Sequence, residues 1–265
     1  MSITNPYLLS ENAWLSAITE ADDQHIRIRG YEINDLMKKA SFADVVYLLH
    51  QGQLPTLAIR EIVNAILVAC ADHGTNTPSA LAARTAASGN RRGLEAAIAA
   101  GILSIGDAYG GVGSECMEMI HYGLEYARQN EITLEAAATH IVAEMTEAGR
   151  HIPGLGLRTH KEDPRVTILL GMTEAANLSG DGIAFLYATQ TCARQQIAYL
   201  PINIYGMIGA VLHDLGFPPP YAKLFFIIGR VAGLSAQVME EYTREKPMRI
   251  SLPVRYDGPK PRSLE

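Results

Sequence analysis

The sequence predicts an all-α protein, and three observations carry that expectation. Between residues 94 and 105 the apolar side chains Leu94, Ile98, Ile102 and Ile105 recur at helical spacing, Ala96, Ala97, Ala99, Ala100 and Gly101 fill much of the remainder, and Glu95 is the only charge. Signals that open and close helices follow one another along the chain at helix-length intervals. No stretch alternates apolar and polar residues between hairpin turns, and no low-complexity linker or repeat at a period of about 20 to 50 residues breaks the pattern.

Residues 1 to 30 lack a sustained period and read as an irregular arm with a short helix near Trp14. Asn34 or Asp35 caps the helix that follows Gly30. Ser41 with Asp44 three residues on forms a capping-box start to SFADVVYLLHQG, closed by Gly52 and Pro55. Thr56 caps the next helix, where Ile59, Val63 and Leu67 lie beside Ile62, Ile66 and Cys70, and Gly74 ends it. The helix at 94–105 is rich enough in small residues to let another backbone approach, so it is expected to pack against a partner subunit as well as its own domain. Ser114 opens a helix to Arg128, and Thr133 one that ends near Gly149. The glycines and proline of HIPGLGLRTHKE prevent a helix there. Asp163 and Pro164 start another, with Pro164 at its first position. Asp181 caps a helix running to Leu200, and Asn203 to Leu215 forms a short one ended by Gly216. Pro218, Pro219 and Pro220 introduce the long helix containing Phe225, Arg230 and Met239, and the tail from Lys246 reads as an extended arm.

Composition excludes several classes of function. A chain of 265 residues can bury about three quarters of its unfolded surface, so a sizeable core is available. The net charge of −6 with mixed signs offers no basic face to nucleic acid. Cys70, Cys116 and Cys192 have no paired spacing, which points to a reducing compartment, the cytoplasm by default, and to no zinc cluster. No apolar run approaches the roughly 20 residues needed to span a bilayer, and the N-terminus lacks a leader pattern, so no membrane partner is expected. GGVG lacks a following Lys-Thr pair, no dinucleotide fingerprint follows a strand, and no His-Glu-x-x-His argues for metal.

ADHGTN at 71–76, AARTAAS at 82–88 and GDAYGG at 106–111 together resemble the corresponding run of the citrate synthase superfamily. The GD-aromatic-GG ending is most similar to the citryl-CoA lyase module of ATP-citrate lyase, since citrate synthase usually has histidine where Tyr109 stands. The resemblance extends from IRIRGYEINDLM to GRVAG. It implies a large helical domain from residues 1–111 and 209–265, a smaller one from 112–208, and coenzyme A as part of substrate or product; the small-residue helix at 94–105 is what implies a homodimer.

The candidate residues follow from it. His73 sits at a helix end, where a partial positive charge is favoured for structural reasons alone; the resemblance assigns it to the hydroxyl and carboxylate end of the substrate, and a neutral imidazole can polarise an oxygen there. Arg165 in Asp-Pro-Arg is a common helix opening, but in the family this arginine binds a substrate carboxylate, for which a guanidinium fork is suited. Arg230 stands out on physics, because a lone charge within LFFIIGRVAGL is expected to be buried and then requires a carboxylate or a ligand; the family's matching arginine binds substrate. Tyr109 lines the substrate by the same resemblance. Arg158, His160 and Lys161 form a basic turn, either solvated or in contact with CoA phosphates. Two positions depart from the pattern. Leu157 replaces the loop histidine, with His151 and His160 flanking it, and Tyr205 replaces the aspartate base of NVD. A tyrosine donates a proton at neutral pH and abstracts one poorly. The C-terminal arginine of the family falls at Leu252, with Arg249 and Arg255 nearby.

The expectation is therefore an enzyme that makes or cleaves a carbon-carbon bond next to a CoA thioester, on a substrate other than citrate. The alternatives are a CoA-ester-binding paralogue without catalysis and a CoA thioester hydrolase.

Overall fold

The structure, a computed structural model, describes residues 15–156 and 162–263. Eleven helices dominate these described residues, with one small antiparallel sheet. The chain divides into two compact units, Met1–Ile66 and Leu67–Glu265.

The first unit corrects the expectation of an irregular arm. Strands β1 (Thr19–Ala21), β2 (Ile26–Ile28) and β3 (Tyr31–Glu32) pair in that order, with Glu20 opposite Arg27 and Arg27 opposite Glu32. Arg27 donates to both glutamates across the strands, an attraction that offsets the shortness of the ladder. The helix near Trp14 lies outside the described residues. Helix α1 (Ile33–Lys39) begins one to two residues before the expected Asn34 or Asp35 cap, with Glu32 as N-cap, because β3 feeds directly into it. Helix α2 (Phe42–Gln51) carries the full capping box: Ser41 Oγ accepts from Asp44 N–H at 3.2 Å, and Asp44 accepts from Ser41 N–H at 2.7 Å. Arg60 also donates to Asp44, at 2.6 Å. Helix α3 (Leu57–Ala71) starts at Thr56, whose hydroxyl accepts from Ile59 N–H, and its last turn belongs to the second unit.

The second unit contains α4 (Pro78–Gly89), α5 (Leu94–Leu103), α6 (Val112–Gln129), α7 (Leu134–Glu147), α8 (Pro164–Ala175), α9 (Asp181–Gln196), α10 (Ile204–Asp214) and α11 (Pro220–Arg244). Helices α4 and α5 pack on α11 through Ala83, Ala87, Ala97, Leu234 and Val238, small facing large. Helices α6, α7, α9 and α10 form a second packed group. Helix α6 begins two residues before Ser114, whose hydroxyl instead accepts from Lys223 N–H. Asp181 is inside α9 rather than its cap: the orphan amides of Gly180, Gly182 and Ile183 donate to Asp214 at the end of α10. Helix α9 also stops at Gln196, short of Leu200. The segment after α11 has no regular structure and is mostly exposed, as expected of an arm.

By length and mean hydropathy (1.4) α11 meets the requirement for a membrane span, counter to the reading from sequence. Half of its most apolar stretch is buried within the protein and Arg230 and Glu241 lie on its buried face, so in this fold it is a core helix.

Candidate active site

The site is built where the end of α3 meets the middle of α11. Gly229 and Gly233 make this possible. A Cβ at Gly229 would stand 2.6 Å from the Leu67 carbonyl, and one at Gly233 would collide with the Ala71 carbonyl, so only glycine lets the two backbones touch. Between the two glycines, Arg230 reaches the final turn of α3, where the carbonyls have no helical partner. Its Nε donates to Cys70 O at 2.8 Å, and Arg165 Nη1 donates to the adjacent Ala69 O at 3.0 Å. The two guanidiniums thereby cap the negative end of α3.

They differ in what else holds them. Arg165 donates from Nε and Nη2 to the two oxygens of Asp163, at 2.9 and 2.7 Å, and Asp163 is itself buried and caps α8. Its fork is therefore occupied. Arg230 is 1% exposed, makes no ion pair among the described residues, and its Nη1 is buried without a hydrogen-bond partner. Its guanidinium carbon also lies 4.9 Å from the centroid of the Phe226 ring.

Phe226 is the hub of the site. Tyr205 and Tyr109 meet its ring edge-on, with centroids at 5.3 and 5.8 Å. The GDAYGG turn delivers Tyr109: Gly106 and Tyr109 exchange backbone bonds, and Gly110 adopts φ +80°, with a Cβ there only 2.6 Å from Phe226. The Tyr109 hydroxyl shares a 2.9 Å hydrogen bond with Ser79 on α4. Tyr205 stands in the first turn of α10, which Asn203 caps by accepting from Gly206 N–H at 3.0 Å. Asn203 also donates to Gly154 O and Gly156 O, fixing the segment that leads into the basic turn. Leu157, Arg158, His160 and Lys161 lie outside the described residues.

Burial, reinforced by the nearby Tyr109, pushes the Tyr205 phenol up to about 12 against the pull of Arg230 and Arg165. Tyr205 is thus a neutral donor at physiological pH. The Cys70 thiol is likewise raised to about 12 by burial, with Arg230 and Arg165 opposing. Tyr205, Tyr109, Arg165 and Arg230 share one electrostatic neighbourhood.

His73 is exposed on a turn just past α3, three residues beyond the carbonyl that holds Arg230. The turn is closed by Asp72, which accepts from Gly74 N–H at 3.0 Å, with Gly74 at φ +83°. His151 is exposed. Arg249 is not open to a ligand fork: it donates to Glu241 through Nε and Nη2. Leu252 is exposed in the arm. Among the described residues no group of three or more His, Cys, Asp or Glu side chains could hold a metal ion.

Sequence reasoning missed Phe226, Ser79 and Asp163. The i, i+4 spacing of Phe226 and Arg230 was a usable signal, whereas the pairing of Ser79 with Tyr109 spans 30 residues and left none.

Comparison with known proteins agrees with this architecture. The sequence model described as citrate synthase, C-terminal domain, matches residues 9–60 and 57–251. The citrate synthase of Haloferax volcanii is 26% identical over 224 residues, covering 82% of this chain and 55% of that protein. The 2-methylcitrate synthase of Shewanella oneidensis is 25% identical, covering 84% and 56%. The chain therefore spans little more than half the length of these curated relatives. Among solved structures, citryl-CoA lyase from Hydrogenobacter thermophilus superposes with a TM-score of 0.85 at 37% identity, covering 95% of this chain and 97% of that one. ATP citrate lyase from Methanothrix soehngenii, solved with citrate and coenzyme A, shares the fold at a TM-score of 0.78 and 20% identity, covering 94% and 43%. With a match running over most of its length, the chain belongs to the citrate synthase family.

Proposed function

We propose that the protein cleaves, or in reverse forms, a carbon-carbon bond beside a CoA thioester, acting on a 3-hydroxyacyl-CoA with fewer carboxylates than citryl-CoA. Arg230 carries this reading. A buried cation without a counter-charge costs several kcal/mol, and a ligand carboxylate at its unpartnered Nη1 answers it. Of the two guanidiniums at the end of α3, Asp163 occupies the fork of Arg165 and Arg230 alone keeps an unpartnered nitrogen, which suits one carboxylate. The similarity to citryl-CoA lyase at 37% identity supports the reaction class.

In the cleavage direction the substrate hydroxyl loses its proton and the carbon-carbon bond breaks. The electron pair leaves as the thioester enolate, whose carbon takes up a proton, giving an oxo-acid and acetyl-CoA. His73 polarises the hydroxyl and accepts its proton. Tyr205, protonated because burial and Tyr109 hold its pKa near 12, is the proton donor or relay to the enolate carbon. In the reverse reaction the same side chain, as tyrosinate, takes that proton back from acetyl-CoA, so exchanging a carboxylate for tyrosine alters the rate in both directions and leaves the equilibrium unchanged. Tyr109, Arg165 and Arg230 line the acyl portion, and Arg158, His160 and Lys161 hold the CoA phosphates. The family division into residues 1–111 with 209–265, and 112–208, is the arrangement we adopt for substrate closure. A homodimer covers α5, whose Leu103 is 85% exposed, and the three free cysteines suit the cytoplasm.

The test is release of acetyl-CoA from citryl-CoA and a panel of 3-hydroxyacyl-CoA esters carrying one carboxylate. Cleavage of a one-carboxylate ester in preference to citryl-CoA supports the proposal. Free CoA with an unfragmented acid would indicate a thioester hydrolase instead. The exchange of two proton-handling positions for Leu157 and Tyr205 favours a second reading, a CoA-ester-binding protein without turnover; thermal stabilisation by the esters with no product from any of them would select it.

A further inference from the structure

Helix α11 carries a second charged cluster that the proposed chemistry does not use. Glu241 is 0% exposed, and its carboxylate accepts from Arg84 Nε at 3.0 Å and from Arg249 Nε and Nη2 at 3.0 and 2.6 Å. A carboxylate buried this completely persists only when paired, and two guanidiniums pair it. Arg84 then donates from Nη1 to Gln237 Oε1 at 2.9 Å, one turn earlier on α11. An amide has one accepting end and one donating end. With Oε1 committed to Arg84, Nε2 faces Asp72 and stands 3.3 Å from each of its carboxylate oxygens. Asp72 closes the turn whose middle residue is His73, by accepting from Gly74 N–H. The close approach at Gly233 presses Ala71 and Asp72 against the same stretch of α11.

We infer that Gln237 is a positioning residue for His73. Its amide, oriented by Arg84 and anchored on buried Glu241, holds the Asp72 turn so that the imidazole keeps one orientation toward the substrate hydroxyl. This deepens the proposed role of His73 and rests on it. Because Arg249 lies in the arm beyond the end of α11 at Arg244, the same chain of hydrogen bonds ties the start of the C-terminal arm to the helix, so a disturbance of the arm reaches His73 through Glu241, Arg84 and Gln237.

Gln237→Glu tests this. It keeps the side-chain length and the acceptor for Arg84, but turns a carboxylate toward Asp72. Adding Asp72→Asn restores a donor and an acceptor with their roles exchanged. In protein carrying isotope-labelled histidine, the His73 ring signals are assigned by their loss in His73→Gln. We expect them to broaden in Gln237→Glu, reporting more than one orientation, and to narrow again in the double variant, while those of His121 and His213 stay in place. With a substrate from the ester panel, kcat falls about 10- to 100-fold in Gln237→Glu with KM nearly unchanged, and recovers in the double variant. Urea unfolding separates the alternatives, since a purely structural role would lower stability without broadening His73. Should Gln237→Glu not fold, Gln237→Met, which keeps the bulk and drops the amide, carries the same expectation. Sharp His73 signals in a folded Gln237 variant would overturn the inference. Broadening as expected in a protein that cleaves no ester would uphold the positioning role and count against the lyase reading alone.

Discussion

Replacing Arg230 by methionine separates a functional arginine from a structural one. In the ligand-free protein the guanidinium gains one charge-assisted bond to Cys70 O, about 1.5 to 3 kcal/mol, and a contact with Phe226 of roughly 1 to 2 kcal/mol. Against this stand the burial of a cation to 1% exposure, several kcal/mol, and the unpartnered Nη1, about 1 to 3 kcal/mol. The opposing contributions are of equal size or favour removal, and methionine fills most of the volume. Arg230→Met should therefore unfold in urea within about 1 kcal/mol of the unaltered protein, or be more stable, a shift of no more than roughly 2 to 4 °C in Tm. Ligand linkage should behave oppositely. A carboxylate-bearing ester at a hundred times its Kd stabilises by about 2.7 kcal/mol, and this increment should vanish in the variant. A loss of about 3 to 5 kcal/mol in Arg230→Met without ligand, with the ligand increment kept, would refute the ligand role, because the arginine would then serve only to cap α3.

Three further outcomes follow from the same geometry. Tyr205 has a folded pKa near 12, above the ordinary value of 10, so its contribution is fully present below pH 10 and is lost as pH rises through 12; it is of order 2 kcal/mol, and Tyr205→Phe should flatten the fall in urea stability over that window. Gly233→Ala puts a methyl group on the Ala71 carbonyl and should cost about 1 to 3 kcal/mol in urea unfolding, together with turnover, because α11 must move away from Cys70. Asp163→Asn retains the α8 cap but releases the fork of Arg165, so citryl-CoA binding measured by calorimetry should tighten relative to a one-carboxylate ester; unchanged relative affinity would mean that Arg165 does not face the ligand.

What the sequence disclosed was local. The capping box of Ser41 and Asp44, the Thr133 cap and the start of α8 at Pro164 depend on residues within three positions of one another, and each stands where expected. Arg230 was legible because a charge within an apolar helix must be explained. The strands were not, since runs of two or three residues are too short to show alternation. Capping of α9 by Asp214, across 34 residues from Gly180, required tertiary structure, and so did the link from Asp72 to Gln237 across 165. Arg165 was recognised as a guanidinium for a carboxylate, and the carboxylate it holds here is its own neighbour Asp163.

A crystal structure of the protein with a one-carboxylate 3-hydroxyacyl-CoA, or with acetyl-CoA and the matching oxo-acid, measures the central claim directly. A ligand carboxylate oxygen is expected within hydrogen-bonding distance of Arg230 Nη1, with the Tyr205 hydroxyl directed at the carbon that receives the proton. A bound ester whose acid group lies elsewhere, leaving Arg230 Nη1 without a partner, would contradict it.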